Sequence, residues 1–311
     1  MASFLVTGGA GFIGSNIVDR LVELGHSVRV LDDFSSGRRE NLAGVVDRID
    51  LVEGSIVDPD VCRAACKDVE VVLHQAAVPS VPRSMADPVT SHKANVDGVF
   101  NMLLAARDNH ARRFVFAASS SAYGETAEQP KRETMPLCPI SPYGANKAMG
   151  ELYCYAFYKS FGLETVSLRY FNVFGRRQDP NSQYAAAIPA FASRLLRGEP
   201  PIVYGDGEQT RDFTYIENVI SANLLAAEAP EVHGEVLNCA CGQAVSVNQM
   251  IARLNELLGT DIAPRYDPPR PGDIKHSLAD ISLARKIIGY EPKVPFDKGL
   301  EQALDWYKQN L

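Results

Sequence analysis

Through the first half of the chain, short apolar runs alternate with stretches in which apolar residues recur every three or four positions. The runs Ser3 to Val6, Ser27 to Leu31, Ile49 to Val52, Val69 to Leu73, Arg113 to Ala117 and Thr165 to Leu168 read as strands. Val, Ile and Leu fill them without clean alternation, the pattern of parallel strands buried on both faces. Between them, Ile17, Val18, Leu21, Val22 and Leu24 followed by Gly25 spell a helix with a glycine stop. Repeated units of this kind predict an α/β fold with a doubly wound parallel sheet and ligands at the strands' carboxyl ends. Past Phe174 the rhythm changes: helices at about 185–197, 217–228 and 246–258, with short strands at Ile202 to Tyr204 and Val236 to Asn238, predict a smaller second lobe interleaved with the end of the sheet. The expected partition is residues 1–174 for the sheet domain, with chain crossings, and 175–311 mainly for the second lobe.

Gly8, Gly11 and Gly14 in Thr7-Gly8-Gly9-Ala10-Gly11-Phe12-Ile13-Gly14 follow the first strand and lead into the first helix. There the first lets the chain turn, the second lets backbone approach a phosphate, and the third lets the helix pack closely, the logic of a Rossmann dinucleotide site. The spacing is GxxGxxG. Asp32, at the end of the second strand, is placed to accept hydrogen bonds from a ribose diol and to repel a 2′-phosphate, which favours NAD over NADP. Asp33 reads equally as a turn cap or a cofactor contact, and Arg38 and Arg39 read as a solvated loop.

With 311 residues, 46% hydrophobic and 22% charged, the chain has material for a sizeable core. A net charge of −7 argues against nucleic acid as an obligate partner but leaves room for an anionic ligand held by a few arginines. Its six cysteines show no CxxC pair and no zinc-like spacing, so no metal is expected and the thiols read as reduced. No charged-then-apolar leader opens the sequence and no apolar stretch is long enough to span a bilayer, which together set the expectation of a cytoplasmic protein without a membrane partner.

Ser119, Ser120 and Ser121 end the predicted fifth strand, where small hydroxyls serve either a ligand crevice or a turn. In Ser141-Pro142-Tyr143-Gly144-Ala145-Asn146-Lys147, Ser141 caps a helix and Pro142 occupies its first turn, which places Tyr143 and Lys147 one turn apart on one face. A free phenol ionises near pH ~10. A neighbouring ammonium, together with a cationic nicotinamide, lowers that value and makes Tyr143 a general base.

These segments, with His74-Gln75-Ala76-Ala77, Leu168 to Gly175, Gln209 to Phe213 and Arg270-Pro271-Gly272-Asp273, resemble the extended short-chain dehydrogenases/reductases over essentially the whole length. Within them the chain is most similar to nucleotide-sugar 4-epimerases, in particular those acting on UDP-N-acetylglucosamine. The resemblance implies NAD held by Phe12 and Ile13 beside the glycines, by Asp32, by the loop Asp33, Phe34, Ser35, Ser36 and Gly37, and by Ser55, Ile56, Gln75, Ala76, Ala77, Asn95 and Phe171. Ser55 departs from the family's pattern, in which an aspartate bonds the adenine amine. It implies catalysis by Ser119, Tyr143 and Lys147, with Ser120 or Ser121 nearer the sugar. It further implies a UDP-sugar held by Asn172, Arg211 and Arg270 at the diphosphate and by Ile202 and Tyr204 at the uracil. Ser277 aligns where epimerases confined to plain hexoses carry tyrosine and those accepting N-acetylated sugars carry a small residue.

The implied reaction inverts C4 of a UDP-hexose: Tyr143 removes the 4-hydroxyl proton, hydride passes to NAD, the 4-keto sugar turns its other face, and both return. A nucleotide-sugar 4,6-dehydratase needs an acidic pair beside the strand-end hydroxyl, where this chain has Ser120 and Ser121, and a uronate decarboxylase meets a similar objection. A dinucleotide-sensing protein without catalysis keeps the glycines and does not need Tyr143 and Lys147. The helices at about 89–108 and 143–160 carry more apolar residues than one sheet face requires, so a homodimer built on paired helices is expected, with interior packing as the alternative.

Overall fold

The computed structural model describes residues 2–179, 187–269 and 275–310. Its first half runs β1 (Ser3–Thr7), α1 (Phe12–Glu23), β2 (Ser27–Asp32), β3 (Asp50–Glu53), α2 (Pro59–Ala65), β4 (Val71–His74), α3 (Val81–Ala86), α4 (Pro88–His92), α5 (Gly98–Asp108), β5 (Arg113–Ser119), α6 (Pro142–Phe161) and β6 (Glu164–Tyr170). The second half runs β7 (Val173–Phe174), α7 (Ala187–Leu196), β8 (Ile202–Tyr204), β9 (Thr210–Asp212), β10 (Thr214–Tyr215), α8 (Ile216–Glu228), β11 (Glu235–Cys239), β12 (Ala244–Ser246), α9 (Val247–Leu258), β13 (Arg265–Asp267), β14 (His276–Ser277), α10 (Ser282–Ile288) and α11 (Phe296–Asn310).

Seven parallel strands form one sheet in the order β11-β6-β5-β4-β1-β2-β3. Each central strand feeds two cores, which is why its sequence lacks a polar alternation. Phe4, Val6, Val71, Leu73, Val115 and Ala117 face a core shared with α1 and α8, while Leu5, Val72, Phe114, Phe116 and Ala118 face one shared with α2, α5 and α6. Strand order reverses between β1 and β4, and a crevice opens there above the strands' carboxyl ends. The doubly wound Rossmann architecture expected from the sequence is therefore the one observed.

After residue 174 the chain leaves this sheet and comes back to it: α8 packs over β4, β5 and β6, and β11 pairs in parallel with β6. Short sheets β12-β9-β14, β13-β8 and β10-β7 with α7, α9 and α11 make up the smaller lobe.

One expected helix is not regular. The stretch expected as a helix over about 89–108 is α4, a wide π turn at Lys93–Asp97, and α5. The wide turn lets Asn95 point inward, where its amide accepts from Val78 N at 2.8 Å and donates to Val78 O at 2.9 Å. An apolar period of three to four residues carries no trace of one extra residue in a turn.

Arg113, at the start of β5, is fully buried. It forks onto Glu164 at 2.7 and 3.1 Å and donates to Ala226 O at 2.5 Å and Ala229 O at 2.9 Å, tying the sheet to the end of α8. Arg113→Leu leaves two carbonyls unpaired and Glu164 without its cation, so it should cost about 3 kcal/mol. A urea midpoint unchanged from the parent protein would show that this clamp contributes nothing.

Candidate active site

Gly8 ends β1 with φ +66, and a Cβ there would lie 2.7 Å from Ala76 N in the loop after β4. A Cβ on Gly14 would lie 2.1 Å from Gly8 O, so the first turn of α1 sits directly on the strand-to-helix turn. Gly11 caps α1 without a side chain, which leaves the first-turn N–H groups to an anion. The cleft they open into has a volume of about 680 Å³ and is lined by Gly8, Gly11, Phe12, Ile13, Gly14, Asp32, Asp33, Ser35, Ser36, Gly37, Ser55, Ile56, Gln75, Ala76, Ala77, Tyr143 and Lys147. A glycine cradle, a helix N-terminus and a strand-end carboxylate fit a dinucleotide, and all come from residues marked in the sequence.

Asp32 is buried, with Oδ2 accepting from Ala10 N at 2.9 Å and Oδ1 from Phe34 N at 2.8 Å. Burial pushes its carboxyl above the ordinary range, and the two N–H donors oppose this. Asp33 is exposed and accepts from Ser35 N at 3.0 Å, a turn cap that also borders the cleft. Arg38 pairs with Asp179 at 2.6 Å and Arg39 with Glu53 at 2.5 Å, both largely in solvent.

Several expected contacts stand behind the cleft wall. Asn95 is buried and secures Val78, which does line the cleft. Phe34, at φ +56, packs beneath Arg39 with the guanidinium 4.0 Å from its ring. Phe171 is fully buried, 6.2 Å from the Tyr123 ring, with its N–H donating to Cys239 O.

The sequence placed Ser141 and Pro142 at the start of α6, and Ser141 Oγ accepts from Gly144 N at 3.1 Å. Tyr143 N donates to Ser84 Oγ at 3.0 Å, which fixes the helix start against α3. Lys147 is buried, its ammonium donating to Ala117 O at 2.7 Å and lying 4.9 Å over the Phe116 ring. Burial lowers its pKa to about 8, opposed by the charge of Glu151 one turn on. The Ser119 hydroxyl lies by the Tyr143 phenol and favours its ionised form. Ser119 Oγ accepts from Ser121 Oγ at 2.8 Å and Ser121 N at 3.2 Å.

Burial pushes the Tyr143 phenol above its ordinary range, and the Ser119 hydroxyl opposes the rise. The ammonium is turned to a backbone carbonyl and stands 5.9 Å from the tyrosine ring centroid. Lowering of the phenol therefore awaits added positive charge in the cleft.

A second cavity of about 420 Å³ collects Asn172, Ile202, Tyr204 and Arg211 with Phe191, Arg194, Gln209 and Phe213. Asn172, at φ +36, donates from its amide to Asp212 O at 2.9 Å, which seats it beside Arg211. Ser277 pairs in register with Arg211 across β14 and β9 but lines neither cavity. Arg270 lies outside the described residues.

Cleft residues that sequence reasoning missed include Tyr170, Arg83 and Arg177. Tyr170 O–H donates to Gln75 Oε1 at 3.0 Å and accepts from Asn223 at 2.8 Å. Its position at the carboxyl end of a predicted strand was the available signal. Arg83, in the short α3, had none.

A family model described as the NAD dependent epimerase/dehydratase family matches residues 4–240. A putative UDP-glucose 4-epimerase of Methanocaldococcus jannaschii is 38% identical over 308 residues, 98% of each chain. Among solved structures, the UDP-N-acetylglucosamine 4-epimerase of Methanobrevibacter ruminantium, in complex with UDP-N-acetylmuramic acid, is similar with a TM-score of 0.96 and 41% identity, covering 100% of this chain and 99% of that one. The UDP-glucose 4-epimerase of Thermotoga maritima, with UDP-glucose, gives 0.94 and 39%, covering 99% of both.

Because a methyl group at Gly14 meets Gly8 O at 2.1 Å, Gly14→Ala must rebuild the turn that forms the cradle. Dinucleotide affinity measured by calorimetry should fall at least about tenfold. Unchanged affinity in the folded variant would show that the cradle does not hold the ligand.

Proposed function

The chain belongs to the NAD dependent epimerase/dehydratase family, and we propose on that footing an enzyme that reversibly inverts C4 of a UDP-hexose with tightly held NAD, taking N-acetylated hexoses as well as plain ones. One observation carries the reading: Tyr143 and Lys147, one turn apart on α6, both line the glycine-cradled cleft, with Lys147 buried.

The glycine turn, Asp32 and the Gln75 to Ala77 loop would hold NAD, which would supply the reversible hydride acceptor. The chain's own residues then handle protons and orientation. Tyr143 takes the 4-hydroxyl proton and later returns it, and Ser119 hydrogen-bonds the 4-oxygen as its charge changes. Lys147 supplies the positive charge that stabilises the phenolate. Arg211 and Asn172 hold the diphosphate while Ile202 and Tyr204 receive the base, an anchor about which the 4-keto sugar turns at its link to phosphate. Arg270 joins this set by resemblance alone.

Epimerisation needs no acid to expel water, and Ser120 and Ser121 beside Ser119 offer none. This separates the reading from a 4,6-dehydratase. We also assign a homodimer, supported by Met85, Val89, Phe100, Met149, Leu152 and Phe161 on α3 to α6, all exposed on helices that pack together. The free thiols among the described residues accord with a cytoplasmic setting, and no described helix is long and apolar enough to cross a membrane.

Tyr143→Phe should keep NAD binding and lose turnover by about 10²- to 10⁴-fold in an assay that separates UDP-N-acetylglucosamine from its C4 epimer. Turnover at the parent rate would overturn the assignment.

Sugar scope is read from Ser277. Ser277→Tyr, placed beside Arg211 by the β14–β9 pairing, should abolish turnover of the acetylated pair and spare UDP-glucose and UDP-galactose. Equal losses on both pairs, with NAD still bound, would show that position 277 does not gate the sugar.

A further inference from the structure

Behind the catalytic helix lies an ion pair that the reaction, as derived above, does not use. Glu151 follows Lys147 by one turn of α6 and is buried, as is Arg169 on β6. The two form a fork, Arg169 Nε donating to Glu151 Oε1 at 2.8 Å and Nη2 to Oε2 at 2.7 Å. The far side of the guanidinium is seated 4.3 Å over the Tyr123 ring, and Tyr123 is fixed by its hydroxyl to Asn238 Oδ1 at 2.7 Å. Asn238 is anchored in turn to Lys131 O and Asp280 O. A carboxylate so held cannot swing away from the face of α6 that carries Lys147.

The remaining groups around Lys147 do little to keep it ionised. From β4 comes His74, buried, with its pKa pushed down to about 3 by burial and by Lys147, hence neutral. From β5 come the Phe116 ring and the Ala117 carbonyl. On α6 itself stand the half-buried Tyr143 and the buried Cys154, a thiol pushed up to about 12 by burial and therefore protonated. Glu151 is the full negative charge among these neighbours, and Arg169 opposes the burial that pushes its carboxyl up.

Resting on the epimerase reading above, we propose that Glu151 is a positioning residue for catalysis: clamped by Arg169, it supplies the fixed negative charge that keeps the Lys147 ammonium ionised in a site otherwise walled by rings and backbone. It touches neither substrate nor cofactor. Buried pairs stabilise weakly, since replacing one by apolar side chains of similar volume is often neutral. The pair is thus better explained by what it does to its neighbour than by stability.

The test reads Lys147 directly. The NAD-loaded enzyme is prepared with 13C-labelled lysine, and the Lys147 Cε signal, identified by its loss in Lys147→Ala, is followed with pH. In the parent enzyme burial should hold the ammonium's midpoint below that of an ordinary lysine. Glu151→Gln combined with Arg169→Met removes both charges of the pair together, so neither partner is left as an unpaired buried ion. The midpoint should fall by about one pH unit, the size of a lost opposite charge at helix-turn distance. Lys147 is charged below its midpoint and neutral above it, so the alkaline limb of the kcat profile should move down by the same amount while KM for the UDP-sugar changes little. Should that variant not fold, Glu151→Leu with Arg169→Met fills the space with apolar groups and must show the same fall. An unmoved midpoint in the folded variant overturns the proposal even if turnover is lost, because that loss is then merely structural. If instead the midpoint falls while Tyr143→Phe turns over at the parent rate, the epimerase reading fails and the coupling stands.

Discussion

Helix α6 lies within glycine distance of strand β5 and the turn that follows it, and the geometry of the cleft depends on that separation. A Cβ on Gly150 would stand 2.4 Å from the Phe116 ring, and one on Gly144 would stand 2.7 Å from Ser121 O. Any larger residue at either place pushes the helix outward. Lys147 reaches Ala117 O at 2.7 Å because the two backbones are this close. A shift of about 1 Å in such a constellation is enough to cost a large factor in rate.

Around that contact, hydrogen bonds between buried polar groups join separate segments of the chain. Ser91 Oγ accepts from Asn95 at 3.3 Å and Asn146 at 3.1 Å, joining α4, the π turn and α6. Asp212 is fully buried and accepts from Cys241 N and Gly242 N at 2.9 Å and Ala279 N at 3.3 Å, which locks three segments of the smaller lobe beside Arg211. Burial raises the Asp212 carboxyl to about 6 even against these donors. Its charge is tolerated there because the backbone supplies the hydrogen bonds that water would otherwise give.

The two cavities are two ends of one chain segment. Tyr170 at the end of β6 lines the dinucleotide cleft, and Asn172, two residues later, lines the second cavity. Between them Phe171 is buried on Tyr123, whose ring also seats Arg169. The two cavities and helix α6 are therefore referenced to the same few buried side chains. A rotating intermediate needs this arrangement, because its two faces must meet an unchanged set of groups.

What the sequence alone determined was local. All seven strands of the large sheet as strands, the glycine turn, Asp32 at the end of β2, and the Ser141 cap that sets Tyr143 and Lys147 one turn apart follow from short-range rules of periodicity, capping and turn chemistry. The tertiary structure decided what depends on distance between segments remote in sequence. Asn95 and Phe171 stand behind the cleft, because inward orientation at a π turn or in a dense cluster leaves no periodic signature. The return of β11 to the edge of the sheet beside β6 is set by pairing, not by the apolar run itself. Likewise, the state of the Tyr143 phenol follows from desolvation and from where Lys147 turns its ammonium, properties of an enclosed volume that no spacing along a chain encodes.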